Sequence, residues 1–357
     1  MERRTVEVYE ERGPIWASSR RPVRRDEARA FAALVPTGGI RIDLGCGGGR
    51  YTADLGRPVV GLDAAASMLE LCRAAAPAAL LVRGDLEALP FGAGTLQGGW
   101  ANMSYLHLPR TRLPMALADL QGVLAPGAPV DLQVLAGDHE GFGLPGDDVG
   151  GRFFSGWQPD ALEQVLVGAG FGPEPAVVED DVVRVRARRL RSLADTVGAG
   201  MGVLVVGLNP SLHAADSGVG FSRPGNRFWP AARTAGLVTR DRDPRGALSV
   251  DGVGMTDLVK RATTTAAELG GEEYGEGMAR LEGLVGWLEP GVVCFVGLAG
   301  WRAAVDRGAR AGLQEGGLGG RPVYLMPSTS GLNAGSSLDE LTGHLRAVIA
   351  LAREGGR

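Results

Sequence analysis

Three turns in this sequence could do chemistry on a ligand. The first is Gly207-Leu208-Asn209-Pro210-Ser211, followed by Gly218-Val219-Gly220-Phe221 and by Pro224-Gly225-Asn226-Arg227-Phe228-Trp229. A strand that runs into such a turn presents its polar side chain at the carboxyl edge of a sheet, where open α/β folds bind ligands. The second is Met326-Pro327-Ser328-Thr329-Ser330-Gly331-Leu332-Asn333, a polar loop with one apolar residue at its tip. An apolar residue in that setting suits a wedge between stacked bases. The third is Asp43-Leu44-Gly45-Cys46-Gly47-Gly48-Gly49. Its glycines let the backbone pass close to a bound molecule. Asp63, about twenty residues on, can accept two ribose hydroxyls, and Asp85 after the next apolar stretch adds a further acid. Arg50 stands where the dinucleotide fingerprint needs glycine, and Lys260 lacks the preceding glycines of a phosphate-binding Walker loop.

Elements that would position these turns are visible as apolar runs. In the N-terminal half, Ile40–Leu44, Val59–Leu62, Leu80–Val82, Gly99–Met103 and Val130–Leu135 read as strands separated by helical stretches. That βαβ rhythm implies a mostly parallel sheet with helices on both faces. Val182–Arg191 alternates apolar and basic residues, which fits a final strand at a solvated sheet edge better than a nucleic-acid contact. Residues 193–201 read as a glycine-containing linker between domains spanning 1–192 and 202–357. In the C-terminal half, Val203–Val206, Gly254–Leu258, Val292–Val296 and Val323–Met326 read as strands, and Glu282–Leu288, Gly300–Asp306 and Leu338–Ala352 as helices. Four strands with intervening helices predict a smaller α/β/α sandwich on a four-stranded parallel sheet.

Composition narrows the class. A chain of 357 residues suits two domains, and 45% hydrophobic with 22% charged residues is ordinary for a protein with a packed core. A net charge of −4 neither announces nor excludes a nucleic-acid partner, because a local arginine cluster can bind phosphate on a neutral domain. Lys260 is the only lysine. Cys46, Cys72 and Cys294 are far apart with no CxxC spacing, which argues against a zinc ribbon or iron–sulfur cluster and predicts no metal site. The cysteine usage, the absence of an apolar leader after Met1-Glu2-Arg3-Arg4 and the absence of a membrane-length apolar run predict a reduced, cytoplasmic protein.

The Asp43–Gly49 loop with Asp63 and Asp85 resembles the class I S-adenosylmethionine-dependent methyltransferases over roughly residues 30–190. The resemblance implies a Rossmann-like fold and S-adenosyl-L-methionine as cofactor. Asp43, Gly45, Gly47 and Gly49 match the family's first motif, and Asp63 its ribose-binding acid. Asp85, with Leu86 in Gly84-Asp85-Leu86-Glu87, matches the residue near the adenine amino group. Phe154-Ser155-Gly156-Trp157 and Ala169-Gly170-Phe171 are similar to its late helix–strand region. The place of the Asn/Asp-Pro-Pro-aromatic motif of amino-directed DNA methyltransferases reads Ala101-Asn102-Met103-Ser104-Tyr105, and no cysteine follows a proline. The usual DNA-base methylations are therefore disfavoured, and the methyl acceptor, a small molecule or an RNA position, stays unknown. His107 is either a base or a packed histidine.

The two C-terminal turns together resemble the mismatch-specific uracil/thymine-DNA glycosylases, over about residues 202–350. The resemblance implies a uracil-DNA-glycosylase-like sandwich that extrudes a base from the duplex before cutting its bond to the sugar. Asn209 matches the residue that holds the attacking water, and an amide cannot deprotonate that water as a carboxylate could. Phe221 matches the aromatic that stacks on the flipped base. Gly207, Leu208, Ala214 and Ser330 complete the base pocket, with backbone N–H groups near Leu208 and Phe221 stabilising the departing pyrimidine. Leu332 would fill the gap in the duplex, Gly331 and Asn333 would face the opposite guanine, and Arg223 and Arg227 are candidates for phosphate contacts. Ser211 replaces the glycine usual after Asn-Pro, and Ala334 replaces an arginine of some relatives. Gly254-Met255-Thr256-Asp257-Leu258-Val259 is similar to the family's internal strand.

The resulting expectation is a monomeric bacterial enzyme, nucleoid-associated when on DNA. It would hydrolyse uracil, and more slowly thymine, opposite guanine in double-stranded DNA, fused to a methyltransferase. The glycosylase half needs no cofactor. With Lys260 as the sole lysine, and at a position the matched family does not use, a monofunctional reaction is expected. Two alternatives stand beside it: a first domain that only binds S-adenosyl-L-methionine or acts as a scaffold, and a second that binds DNA or nucleosides without excision.

Overall fold

The computed structural model describes residues 1–19 and 23–354. The chain separates into two compact units, Met1–Leu190 and a second from Arg191 onward.

The first unit opens with helices α1 (Arg3–Ser19) and α2 (Arg25–Leu34). Strands β1 (Arg41–Leu44) and β2 (Val59–Asp63), helix α3 (Ala66–Ala75), and strands β3 (Leu80–Arg83) and β4 (Gly98–Asn102) follow. Next come α4 (Leu113–Val123), β5 (Pro129–Ala136), β6 (Glu140–Phe142), β7 (Phe153–Trp157), α5 (Pro159–Gly168), β8 (Phe171–Pro173), β9 (Val177–Glu179) and β10 (Val182–Arg189). The sheet order is β3-β2-β1-β4-β5-β10-β8, parallel from β3 to β5 and antiparallel across β5–β10 and β10–β8. β1 and β2 are buried almost throughout, so both sheet faces are covered, as an apolar parallel strand requires. Adjacent glycines make this visible. A side chain on Gly98 would strike Phe31 of α2 and Val35 just after it, whereas one on Gly99 would reach Leu120 from α4 on the opposite face.

The basic strand β10 is not a sheet edge, because β5 pairs along one side of it and β8 and β9 along the other. Its Val183, Val185 and Ala187 are buried. Arg184 and Arg186 on the other face pair with the buried Asp131, and Arg184 also with Glu27. These cations are neutralised within the sheet rather than offered to a polyanion.

The second unit runs β11 (Val203–Gly207), α6 (Leu212–Ser217), α7 (Phe228–Ala235), α8 (Pro244–Ser249), β12 (Val253–Asp257), α9 (Gly271–Leu288) and β13 (Val292–Val296). It ends with α10 (Ala299–Ala304), β14 (Gly312–Leu318), β15 (Arg321–Met326) and α11 (Leu338–Glu354). The sheet has five strands in the order β12-β11-β13-β15-β14. Four are parallel, and β14 adds an antiparallel edge that the four-stranded expectation missed. The omission has a physical cause: β14 reads Gly-Leu-Gln-Glu-Gly-Gly-Leu and is mostly exposed, so it carries no apolar signature. In the parallel strands alternate residues feed two cores. Val203 and Val205 pack with α7 and α11, while Leu204 and Val206 pack with Leu281 and Val285 of α9 and Trp301 of α10.

Residues 193–201 are not a linker but part of this unit. Val197 and Met201 are in its core, Thr196 pairs with Met255 through both backbone bonds, and Asp195 is buried against Lys260 and Arg280.

Candidate functional site

The first unit holds a cavity of about 820 Å³ at the carboxyl ends of β1, β2 and β4. Asp43, Gly45, Gly47, Gly49 and Asp63 all line it. Their glycines do different things. Side chains on Gly45 and Gly49 would come within 2.4 Å of Ser104 and 2.9 Å of Cys72, so these two allow close packing of the loop. Gly47, at φ 54°, keeps the loop open to the cavity and donates its N–H to Asp63 Oδ2 at 2.9 Å. Asp63 Oδ1 accepts from Ala65 N. Burial raises the Asp63 carboxyl, against the pull of these backbone bonds. Asp43 accepts from Thr52 Oγ1 at 2.6 Å, and burial pushes it up to about 7.

Asp85 does not line this cavity. It lies at a more open cavity of about 470 Å³, where both its oxygens take the Met1 ammonium at 2.9 Å. Leu86 beside it is fully buried.

The other end of the large cavity was not legible in the sequence. Tyr9 and Trp16 reach it from α1, and Arg152 and Phe154 from β7 and the residue before it. Arg152 Nη1 donates to Tyr9 Oη at 2.9 Å, and Tyr9 pairs with His107 Nε2 at 2.9 Å. His107 Nδ1 meets the Phe153 carbonyl at 2.6 Å, which makes Nδ1 the protonated nitrogen and Nε2 the acceptor. Burial pulls His107 down to about 4, so it is a neutral, packed imidazole. Arg152 also pairs with Asp147.

In the second unit, the turns after β11 and β12 close on each other. Leu258 N donates to Gly207 O, and Val259 N to Leu208 O, both at 2.9 Å. Asn209 Nδ2 donates to Thr263 Oγ1 at 2.7 Å and to Arg261 O at 3.0 Å. A carbonyl acceptor can face only the amide nitrogen, so these contacts fix which way the amide points. Oδ1 is left without a donor among the described residues. The N–H groups of Leu208 and Phe221 likewise donate to nothing there. Thr263, which orients Asn209, carries no signal of its own in the sequence.

Phe221 has φ 55°, a left-handed conformation unusual for a bulky residue. Its ring stacks on Phe228 with centroids 4.4 Å apart. Trp229 Nε1 donates to Gly220 O at 2.9 Å, and Asn226 Oδ1 accepts from Phe228 N at 2.9 Å. Asn226, Phe228 and Trp229 thus support the Phe221 turn from behind. Ala214 is buried in α6, and Ser211 caps that helix by accepting from Ala214 N. The Leu208 side chain turns toward Gly300, so only its backbone serves the turn.

Leu332 is 88% exposed at the tip of its loop. Arg227 does not reach out to solvent. Its guanidinium donates to the carbonyls of Ser330, Asn333 and Ser336, which makes it a brace for that loop instead of a free phosphate contact. Asn333 is also turned inward: Nδ2 donates to Ser328 O at 2.7 Å and Oδ1 accepts from Gly335 N. Gly331 packs on the Gly225 backbone, where a side chain would meet Gly225 O at 2.9 Å. Ser330 Oγ accepts from Leu332 N. Arg223 is exposed, with no ion pair among the described residues.

Among the described residues, no group of three His, Cys, Asp or Glu side chains could hold a metal ion. No helix there is long and apolar enough to cross a membrane.

Similar folds occur among solved structures. One is a SAM-dependent methyltransferase from Methanosarcina mazei, 16% identical over 45% of this chain and 97% of its own, with a TM-score of 0.41. Another is an S-adenosylmethionine dependent methyltransferase from Mesorhizobium loti, 20% identical over 46% and 100%, with a TM-score of 0.37. A third, the 1,6-didemethyltoxoflavin-N1-methyltransferase of Burkholderia thailandensis, is 18% identical over 52% and 85%, with a TM-score of 0.41. The family description "Methyltransferase domain" matches residues 42–127, and "Uracil DNA glycosylase superfamily" matches residues 194–350. The chain thus carries a methyltransferase domain in its first half and a uracil-DNA glycosylase superfamily domain in its second.

Proposed function

We propose that the second domain hydrolyses the N-glycosidic bond of uracil, and more slowly thymine, mispaired with guanine in DNA. The observation that carries this is the Asn209 amide, held by Thr263 and Arg261 so that Oδ1 is free to accept from a water. In the reaction the C1′–N1 bond breaks with its electron pair on the pyrimidine, the water oxygen bonds C1′, and its proton goes to the released base. Asn209 orients that water without taking the proton. Activation therefore comes from the leaving group, whose growing negative charge the Leu208 and Phe221 N–H groups stabilise. Uracil is the better leaving anion, which supports its preference over thymine.

We infer a monofunctional reaction. A Schiff base needs a free amine, and Lys260 Nζ is bound at 2.6 Å to the buried Asp195. Borohydride trapping should give no covalent protein–DNA adduct; an adduct would overturn this.

For the first domain we infer S-adenosyl-L-methionine as the ligand of the 820 Å³ cavity. The open backbone at Gly47 and the Asp63 carboxylate on the loop fit its polar parts, and when bound it supplies an electrophilic methyl group. The decisive experiment incubates the full chain with G·U, A·U, G·T and single-stranded uracil substrates, with and without S-adenosyl-L-methionine. Release of uracil from none of them would sink the glycosylase reading, and no calorimetric binding at millimolar cofactor would sink the other.

A further inference from the structure

Besides the glycine loop, the large cavity of the first unit is walled by Tyr9, Trp16, His107 and Phe154, with Asp147 and Arg152 among them. The Arg152 guanidinium lies 5.4 Å from the centroid of the Tyr9 ring, 5.9 Å from that of Trp16 and 5.1 Å from that of Phe154. The Tyr9 and Trp16 rings meet edge to face, with centroids 5.5 Å apart. This part of the wall is therefore aromatic, a surface on which another ring packs well, with one cation set into it.

The polar atoms of the wall are not all matched. His107 Nδ1–H goes to the Phe153 carbonyl, so the Tyr9 hydroxyl donates to His107 Nε2 and accepts from Arg152 Nη1. Tyr9 and His107 are thereby committed to each other and to Arg152. Arg152 Nη2 donates to Asp147 Oδ1. The other atoms of that pair are left over: Arg152 Nε and Asp147 Oδ2 have no hydrogen-bond partner among the described residues, although the two side chains are only 5% and 3% exposed. A buried donor and a buried acceptor left unmade are costly and call for an explanation.

We propose that the methyl acceptor of the first domain is a small neutral aromatic molecule carrying a hydroxyl group, a phenol, read by Arg152 and Asp147. This rests on the cofactor reading of the same cavity given above. A hydroxyl is the one simple group that both accepts and donates at a single oxygen. It accepts from Arg152 Nε and donates to Asp147 Oδ2, while its ring packs against Trp16 and Phe154. A carboxylate can only accept, and it would meet Asp147 Oδ2 lone pair to lone pair. A plain apolar ring leaves both atoms unmade. The charges argue the same way. Asp147 already neutralises Arg152, and Asp148 Oδ1 stands 4.0 Å from the same guanidinium, so no unbalanced cation awaits an anion there. His107, Arg152 and Phe154 are all buried, so a ligand that meets them is enclosed, which favours a free small molecule over a nucleotide within an RNA strand.

The test is binding, measured by calorimetry on the full chain in the presence of S-adenosylhomocysteine, which has no methyl group to transfer. The probes are phenol, toluene and benzoate. Phenol should bind at least about tenfold tighter than toluene, the scale for hydrogen bonds to charged groups, and benzoate should bind no better than toluene. Arg152→Lys keeps a cation beside Asp147 and removes the Nε donor. It should lose about tenfold in phenol affinity and keep wild-type affinity for toluene and for S-adenosylhomocysteine. Thermal unfolding confirms that the variant is folded, and the comparison of probes on wild type stands without it. Equal binding of phenol and toluene, no binding of phenol, tighter binding of benzoate, or a folded Arg152→Lys variant with wild-type phenol affinity overturns the assignment alone. A chain that binds no S-adenosylhomocysteine sinks the cofactor reading and this assignment with it.

Discussion

Asn209 donates from Nδ2 to Thr263 Oγ1 across 2.7 Å, tying the turn after β11 to the loop after β12. The contact decides which atom of the amide faces the water site. Asn209→Ala should lower single-turnover uracil excision by about a hundredfold or more, the scale for losing a positioned polar group in a reaction centre. Thr263→Val keeps the shape and removes one acceptor, so a loss of about tenfold is expected. If Thr263→Val matches wild type, the orientation of Asn209 is set without it.

Leu332 makes a different kind of prediction, because it is exposed and holds nothing in place. Leu332→Ala should leave the melting temperature unchanged. Excision from duplex should fall by about tenfold, since filling the gap left by an extruded base offsets an unstacking cost of a few kcal/mol. Single-stranded substrate has no such gap, and its rate should not change. An equal loss on both substrates would argue against a wedge.

Two arginines a few residues apart should separate under salt titration. Arg223 is exposed and unpaired among the described residues, so Arg223→Ala should reduce the slope of log affinity against log salt by about 1. Arg227 braces the loop from Ser330 to Ser336 through three carbonyls. Arg227→Ala should leave that slope intact and instead raise proteolytic cleavage within the loop. Identical slopes for wild type and Arg223→Ala would remove Arg223 from the DNA contacts.

The turns themselves were legible because chemistry-bearing residues cluster in them, as at Gly207-Leu208-Asn209. Their supports were not. Thr263 lies far along the chain from Asn209, and Tyr9 of the first helix meets both Arg152 and His107, more than ninety residues away. Sequence spacing does not encode such meetings; topology does. Arg227 shows the reverse error. Arginine beside a glycine turn suggests a phosphate contact, but three loop carbonyls take the same guanidinium. β14 escaped notice because an exposed edge strand needs no apolar run, and residues 193–201 looked like a linker because small residues conceal the buried Asp195 and Val197.

Asp63 offers a test that the two domains do separate chemistry. Its carboxylate is tied to Gly47 N and Ala65 N at the mouth of the glycine loop. Asp63→Ala should weaken S-adenosyl-L-methionine binding by about tenfold or more by calorimetry, for two charge-assisted hydrogen bonds lost. Uracil excision by the same variant should be unchanged. A fall in excision would mean that the state of the first domain matters to the second.

Asp195 binds Lys260 Nζ and Arg280 Nη1 in a buried cluster that pins the start of the second domain to β12 and α9. Removing the anion leaves two cations buried without a counter-charge, a loss of about 3–5 kcal/mol. Asp195→Ala should therefore speed amide hydrogen exchange in β12 and α9 by roughly a hundredfold or more, while peptides from residues 1–190 keep their protection. The sign with pH follows from the pairing. Burial raises the Asp195 carboxyl, but Lys260 and Arg280 outweigh it and hold the folded value below that of the unfolded chain. The stabilisation is complete above the ordinary carboxylate range and disappears as pH falls through the lowered folded value. In urea unfolding, wild type and variant should differ fully near neutral pH and converge only in strong acid. A difference that already vanishes at about pH 5 would mean that the cluster is not held by the Asp195 charge.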